Sequence, residues 1–273
     1  MKAFNFQDPK DLKKLYHNRN LINFRGNFLK KYSNRKYSIR DILLKTLPEL
    51  KNKQILDVGC GNCSFLKKLY SIYLNNSFHA LDICENSSCK NLNFLDYGLY
   101  DGVNFPKYTQ KFDYIFCMHM LYHIKNFKLF FKQLKMILNQ QGKILITTKS
   151  KFTFPKLESL FLKIIKEMKL TGSVKKVRDE EHFCLENARK FLLKHFPTNL
   201  FSIKSYVLET QIITDNLKDL LQYILSTKRY NLIPNLKEKT QEVYLEKWKN
   251  KLKKYDLFID KYIEVIYVVS KKN

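Results

Sequence analysis

Glycine, proline and acidic residues are scarce in this sequence of 273 residues. It has seven Gly and six Pro, which excludes collagen-like and low-complexity proteins. It also lacks an uninterrupted apolar run of about 20 residues, so we expect no membrane-spanning helix. Because 45% of the residues are apolar and 14% are aromatic, the chain can bury a substantial core in one large domain or two smaller ones.

The start of the chain, MKAFNFQDPKDLKK, lacks the features of a signal peptide. It has neither the apolar run nor the small-residue cleavage site that secretion requires. We therefore predict a cytoplasmic protein, and in that compartment its six cysteines are expected to be reduced thiols.

The 25 acidic residues face 50 basic ones, which gives a net charge of +25. Such a charge occurs in proteins that bind nucleic acids or membrane surfaces. However, 43 of the basic residues are Lys and only 7 are Arg, whose planar fork suits phosphate and base recognition. We therefore interpret most of the charge as solvated lysine. The densest basic cluster, residues 24–40, could meet an anionic or flat aromatic substrate, or could be a pair of helices with solvated edges.

Four segments differ in their apolar pattern. Residues 1–50 predict helices, and residues 51–150 alternate short apolar runs with amphipathic segments, which indicates a parallel sheet with crossover helices. Residues 151–235 predict a mainly helical cap, and residues 236–273 predict a helix followed by an antiparallel hairpin at the sheet edge. The expected fold is α/β: a Rossmann-like doubly wound sheet, mostly parallel with an antiparallel edge hairpin, plus N-terminal helices and a helical cap insertion.

The most informative motif is ILDVGCGNCSFL, which begins at Ile55. An apolar strand runs into a Gly-x-Gly turn, and an amphipathic helix follows, so the backbone can turn sharply and let a ligand approach without a Cβ in the way. A second acid, Asp82, ends the next strand at the position where a carboxylate accepts hydrogen bonds from a ribose diol; a helix N-cap is the alternative role. Asp57, two residues before the first glycine, distinguishes this loop from a dinucleotide fingerprint and favours a nucleoside with a positively charged tail.

The successive motifs LDVGCGNCSFL, ALDI, YDGVNFP, FDYIFCMHMLYHI and LNQQGKILITT resemble those of class I S-adenosylmethionine-dependent methyltransferases. They span residues 54–150 in the order that the family has. One departure is Cys63, where the family commonly has a third glycine. The resemblance implies S-adenosylmethionine as cofactor and S-adenosylhomocysteine as product.

The resemblance also implies roles for individual residues. The methionine part of the cofactor would be surrounded by the glycine turn, the ribose would be bound by the second acid, and adenine would lie against the residue after it. Asp96 competes with a later acid for the adenine amino group. The cofactor-binding positions implied in this way are Asp57, Gly59, Cys60, Gly61, Asp82, Ile83, Asp101, Gly102, Met118 and His119. The flanking segments resemble a subgroup of small-molecule methyltransferases with an N-terminal lid and a helical cap, which would place Tyr32 near the cofactor.

Tyr122 and His123 are the candidate catalytic residues. They follow the fourth strand, where they could orient or deprotonate an acceptor; the alternative is that they pack against the next helix. In the cap, Glu180, Glu181 and His182 form either an acid–base cluster or an exposed loop. Three aromatic residues of the cap could line an apolar pocket or form the core of the cap: Phe183, Tyr206 and Tyr223.

We predict no metal site. His119 and His123 have ligand spacing but lack the glutamate of a zinc-protease helix. Cys60 and Cys63 lie inside the glycine turn, and Cys84 with Cys89 does not supply a matching pair at zinc-knuckle spacing. Small buried thiols are the preferred interpretation.

The predicted function is methyl transfer to N or O of a small molecule or short peptide metabolite, because a cap over the sheet edge would enclose a pocket. The alternative is an RNA methyltransferase that uses the basic surface, although no RNA-binding module is recognisable. A third hypothesis is a cofactor-binding regulator without turnover.

Overall fold

A computed structural model describes residues 10, 13, 19–85, 87–100, 103–170, 182–227, 230 and 236–272. Its centre is a seven-stranded sheet with the order β3-β2-β1-β4-β5-β7-β6. The strands are β1 (Gln54–Val58), β2 (Ser77–Asp82), β3 (Leu95–Leu99), β4 (Phe112–Met118), β5 (Leu138–Lys149), β6 (Phe201–Thr214) and β7 (Phe258–Lys271). The helices are α1 (Arg19–Tyr32), α2 (Ile39–Thr46), α3 (Ser64–Ile72), α4 (Ser87–Lys90), α5 (Phe127–Ile137), α6 (Pro155–Glu167), α7 (Leu185–His195), α8 (Leu217–Ser226) and α9 (Glu238–Leu252).

The first five strands are parallel and their helices cover both faces of the sheet. β1 pairs with β2 on one side and β4 on the other, and four of its five residues are buried. Phe65 of α3 packs against Phe116 on one face, whereas Phe130 and Phe131 of α5 lie in the core of the other. Burial on both faces explains why the central strands are nearly continuous apolar runs. The predicted Rossmann-like, doubly wound fold is confirmed.

The antiparallel edge is made differently from the expectation. β7 pairs with β5 along Lys143–Lys149, and β6 pairs with β7 along its whole length. The C-terminal segment therefore supplies one long strand, so the prediction of two strands in residues 236–273 was wrong. The partner strand β6 comes from the segment predicted to be mainly helical. Its sequence, FSIKSYVLETQIIT, alternates polar and apolar residues irregularly, and four consecutive residues (204–207) are exposed, so the strand signal was weak.

The N-terminal helix, the cap and the C-terminal helix share one hydrophobic core. Phe28 of α1 stacks on Tyr223 of α8 with ring centroids 4.4 Å apart. Trp248 of α9 stacks on Phe161 of α6 in the same cluster. The boundaries 1–50, 51–150, 151–235 and 236–273 stay a prediction, since this core joins parts of three of these segments. Within the described residues, every helix is too short or too polar to cross a bilayer.

Candidate active site

The glycine turn leaves the carboxyl end of β1, where open α/β sheets bind their ligands. Gly59 and Gly61 have φ of +75° and +62°, a region that favours glycine. The backbone N–H of Gly59 donates to Leu81 O at the end of β2 (2.7 Å). A Cβ on Gly59 would lie 2.8 Å from the Cβ of Met120, so only glycine lets the turn pack this closely on the segment after β4.

Cys63 takes the place of the third glycine and has the backbone conformation of one. Its φ is +56° at the N-cap of α3, and its N–H donates to Cys60 O (3.1 Å). The side chain is buried and forms a disulfide with Cys89 of α4. The prediction of reduced thiols was therefore wrong for these two residues, because α4 brings Cys89 under the glycine turn. The thiol of Cys60 lies 3.5 Å from Cys63 Sγ, so three buried sulfurs adjoin the turn.

Asp57, the last but one residue of β1, is fully buried, and neither carboxylate oxygen has a hydrogen-bond partner within the described structure. Burial raises the pKa of its carboxyl group to about 7, opposed by the positive charge of Arg40 and supported by the negative charge of Asp82. A buried carboxylate without a partner is costly unless a ligand supplies a cation or donors. This carboxylate therefore fits a cationic group bound above the glycine turn.

Asp82 holds the glycine turn from the neighbouring strand. Its Oδ2 accepts a hydrogen bond from the N–H of Gly61 (2.7 Å), and its Oδ1 accepts one from the N–H of Cys84 (3.0 Å). The alternative role as a helix N-cap is replaced by this tight turn, because α4 begins only at Ser87. Ile83 follows at the same edge and is half-buried.

The candidates for the adenine acid lie in and after β3. Asp101 and Gly102 fall outside the described residues. Asp96 lies opposite His79 in the strand ladder, and its Oδ2 is 2.8 Å from the Nδ1 of that histidine. Its side chain is exposed and lies three residues before the carboxyl end of β3, whereas Asp101 follows that end.

A partly buried ion network, centred on the buried Glu264, follows the end of β4. Met118 is buried, and His119 has a φ of +51°, which is uncommon for a residue other than glycine. The N–H of His119 donates to Thr147 O (3.0 Å), and its Nε2 lies 3.1 Å from Glu264 Oε1. The second oxygen of Glu264 accepts from Nη2 of Arg35 (2.7 Å).

The charge state of Glu264 determines which nitrogen of His119 is available. Burial raises the pKa of Glu264, but the hydrogen bonds and charges of His119 and Arg35 outweigh it and lower that pKa below its usual value. An ionised carboxylate only accepts hydrogen bonds, so Nε2 of His119 carries the proton that it donates. Nδ1 of His119 is then the ring nitrogen that Glu264 does not engage.

Sequence reasoning missed Arg35 and Glu264. Glu264 is a single acid within the apolar run YIEVIYVV of β7, which is a usable signal, since a lone charge in a buried strand needs a partner. Nothing in the local sequence identifies Arg35 as that partner, 229 positions away.

Tyr122 and His123 lie in a short 3₁₀ turn after β4. Their rings contact each other with centroids 4.4 Å apart, and both side chains are half-buried. Tyr122 also packs against the core under the cap. Their catalytic role stays a prediction.

Tyr32 lies at the end of α1 and faces the cap. Its hydroxyl donates to Asp219 Oδ2 of α8 (2.6 Å). Earlier in the same helix, Asn23 Oδ1 accepts from Asn62 Nδ2 of the glycine turn (2.9 Å). Helix α1 therefore bridges the glycine turn and the cap, as a lid would, and contact of Tyr32 with the cofactor stays a prediction.

The remaining cap candidates are mostly structural. Phe183 and Tyr223 are buried in the core, whereas Tyr206 is exposed on β6. Nε2 of His182 lies 3.2 Å from Ile124 O. Glu180 and Glu181 fall outside the described residues.

A family model described as a methyltransferase domain matches residues 32–192, more than half of the chain. The chain belongs to the methyltransferase domain family. The match confirms the methyltransferase resemblance drawn from the sequence motifs.

Curated relatives of this methyltransferase include the tRNA U34 carboxymethyltransferases of Campylobacter hominis and Nautilia profundicola. They are 31% and 30% identical over 114 and 116 residues, 39% of this chain in both cases. The matched part spans 39% and 37% of those proteins, well under half of their length.

Solved structures of similar fold include phosphoethanolamine N-methyltransferase 2 of Haemonchus contortus in complex with phosphomonomethylethanolamine and S-adenosylhomocysteine. It is 15% identical, with a TM-score of 0.55, and the similarity covers 100% of this chain and 61% of that one. A plantazolicin methyltransferase in complex with S-adenosylhomocysteine and a pentazolic desmethylPZN analogue is 15% identical, with a TM-score of 0.50; the similarity covers 97% of this chain and 99% of that one. At this identity the likeness shows a shared fold.

Proposed function

We propose that this methyltransferase uses S-adenosylmethionine and transfers its methyl group to N or O of a small molecule or short peptide. The observation that carries the proposal is the buried Asp57 carboxylate, which has no hydrogen-bond partner among the described residues and lies beside a glycine turn at the carboxyl end of β1. It is the counter-charge that a cofactor with a cationic amino acid tail requires.

The residues present fit that cofactor. Asp57 and the backbone of Gly59, Cys60 and Gly61 would hold the methionine part, and Asp82 would accept from the ribose hydroxyls. Ile83 would pack against adenine, and Met118 and His119 would lie below the sulfur. When bound, the cofactor supplies a methyl group already activated by its sulfonium charge, so the protein needs to align the acceptor and exclude water.

His119 is the best-placed proton acceptor for an acceptor group that must lose a proton. Its Nε2 lies 3.1 Å from the buried Glu264, which fixes the ring and leaves Nδ1 to accept the proton. Tyr122 and His123, three and four residues after His119, are the alternative candidates for this proton acceptor. Lid helix α1 covers the edge from the glycine turn to α8 and would exclude water.

The lid and the cap favour a small acceptor. Arg40 bonds to Ser64 at the start of α3, and Tyr32 bonds to Asp219, so the N-terminal segment is fastened on both sides of the edge. An edge covered in this way encloses a pocket for a small ligand better than it admits a folded RNA.

Transfer to tRNA is the second candidate. It is favoured by the names of the curated relatives, which also specify a carboxymethyl group, and by the net charge of +25. An RNA acceptor would make binding strongly dependent on salt, because each neutralised phosphate releases counterions.

The first test is calorimetric titration of the purified protein with S-adenosylmethionine and with S-adenosylhomocysteine at two salt concentrations. We expect micromolar binding with a stoichiometry near one and little change with salt; no binding of either ligand would contradict the enzymatic proposal. The second step supplies methyl-labelled cofactor with either a small-metabolite and peptide fraction or total tRNA. Label in tRNA alone, lost at high salt, would favour the second candidate.

A further inference from the structure

Arg35 has donors that none of the described residues uses. Its Nη2 donates to Glu264, but Nε and Nη1 are buried and have no hydrogen-bond partner in the described structure. These two nitrogens carry three of the five N–H groups of a guanidinium. Neutralising Glu264 alone would not require these additional N–H groups. Burying charged donors without hydrogen-bond partners also costs free energy.

The position of Arg35 is fixed by the edge of the sheet. Ser33 forms a bridge with Ile212 of β6, and the N–H of Asn34 donates to Gln211 O (3.0 Å). The N–H of Arg35 donates to Ser33 Oγ (3.1 Å). The segment is therefore fastened to β6 before the side chain of Arg35 reaches across to β7, so the guanidinium is held in place in advance of any ligand.

The unused donors lie on the acceptor side of the site. The sheet order places β5, β7 and β6 on the side of β4 away from β1 and β2, which carry Asp57 and Asp82. Glu264 lies opposite Lys149, the last residue of β5, and its two oxygens bind His119 and Arg35. Arg35 is thus one carboxylate away from the histidine that we place beside the reacting atoms.

We propose that Arg35 binds an oxyanion, a carboxylate or phosphate group, carried by the acceptor next to the atom that is modified. Arginine is the side chain best suited to such a group, because its planar N–H donors match the oxygens of carboxylate and phosphate. The inference rests on the proposed function, since it uses the acceptor side defined there. It narrows the acceptor to an anionic molecule.

The test titrates the protein with inorganic phosphate, with acetate, and with acetamide as a neutral molecule of the size of acetate, both with and without S-adenosylhomocysteine. Wild-type protein is expected to bind phosphate or acetate at one site and not to bind acetamide. Which anion binds more tightly identifies the group that the acceptor carries. Equal binding of acetamide, or no anion binding under either condition, would overturn the proposal.

Two variants separate a specific site from the general positive charge. Arg35→Lys keeps a cation for Glu264 but removes the unused donors, and it should weaken anion binding at least tenfold. Lys36→Gln removes a whole charge from the exposed neighbouring residue and should leave binding within twofold of wild type. Equal weakening in both variants, or wild-type binding in Arg35→Lys, would show that the anion meets only the basic surface.

A third variant is expected to increase the affinity for anions. Glu264→Gln removes the negative charge beside Arg35 while keeping a hydrogen-bond acceptor, so anion binding should become tighter; weaker binding in a folded variant would count against the proposal. Thermal unfolding checks that each variant is folded. If the wild type does not bind S-adenosylhomocysteine, the proposed function is contradicted. The anion titrations without that ligand test the role of Arg35 separately.

Discussion

The two halves of the candidate site are built in different ways. The cofactor half consists of a turn and two strand ends within residues 57–84, held by backbone N–H groups of Gly59 and Gly61. The acceptor half joins Arg35, His119 and Glu264, which come from three distant segments. The cofactor half therefore depends on local backbone conformation, and the acceptor half depends on charged side chains that meet only in the folded protein.

The two halves also present opposite charges. The ionised form of Asp57 is an anion without a partner in the described structure, whereas Arg35 is a cation with donors left over. A site organised in this way separates two binding tasks, one for a cationic cofactor and one for an anionic acceptor. The predictions below change one half at a time.

Loss of Glu264 should have the largest effect. Glu264→Ala leaves the Arg35 guanidinium buried without its counter-ion, and breaking such a buried pair costs about 3–5 kcal/mol. We expect a decrease of that size in the free energy of unfolding, measured by urea denaturation. The matched control is Glu209→Ala on the neighbouring strand β6, whose ion pair with Lys261 is exposed and should contribute less than about 1 kcal/mol. An equal decrease in the free energy of unfolding for both substitutions would show that the Arg35–Glu264 pair contributes no more than an exposed ion pair.

The difference between the halves also explains what could be predicted from the sequence. The glycine turn, Asp57 and Asp82 follow from residues close together in the chain, and the parallel strands follow from continuous apolar runs. The Arg35–Glu264 pair could not be predicted, because it depends on how the N-terminal segment crosses β6 to reach β7. Strand β6 was missed for a related reason: it lies at the sheet edge, where four consecutive residues (204–207) are exposed and the apolar pattern is irregular.

Loss of the Cys63–Cys89 disulfide should lower the stability of the protein but should not change anion binding in the acceptor half. Cys63–Cys89 closes a loop across 26 positions, and removing such a link costs about 2–4 kcal/mol through the freedom gained by the unfolded chain. Cys89→Ser should lower the free energy of unfolding by this amount. Treatment of the wild type with a dithiol reductant should lower its melting temperature to that of the variant. Anion binding at Arg35 should stay unchanged. An unchanged melting temperature after reduction would show that the link does not constrain the folded protein.

Asp82→Ala should weaken cofactor binding by about 1–3 kcal/mol. The substitution removes the acceptor for a ribose hydroxyl and also releases the N–H groups of Gly61 and Cys84. Asp96→Ala is the comparison variant, because this exposed acid in the adjacent strand is the competing candidate, with Asp101, for the adenine amino group. Calorimetry with S-adenosylhomocysteine measures both. A larger loss in Asp96→Ala would transfer the nucleoside-binding role to β3.

The smallest expected effect is a dependence of cofactor binding on pH. Burial raises the pKa of Asp57 to about 7, and the cofactor tail needs the ionised form, so affinity for S-adenosylhomocysteine should rise about tenfold between pH 6 and pH 8. The stability of the folded protein should depend on pH in the opposite direction. Without cofactor, the folded protein holds this proton more tightly than the unfolded chain does, so the free energy of unfolding should fall as the pH rises from about 4 to about 7.

Asp57→Asn isolates this effect from the other carboxyl groups. The variant should lose the rise in affinity with pH and should bind the ligand weakly throughout, because the amide offers no counter-charge to the cofactor. Relative to the wild type, its free energy of unfolding should increase as the pH rises towards 7, since it has no buried carboxyl group to ionise. The same pH dependence in the variant would place the titrating group outside the cofactor half, and the counter-charge would then have to be sought elsewhere at the sheet edge.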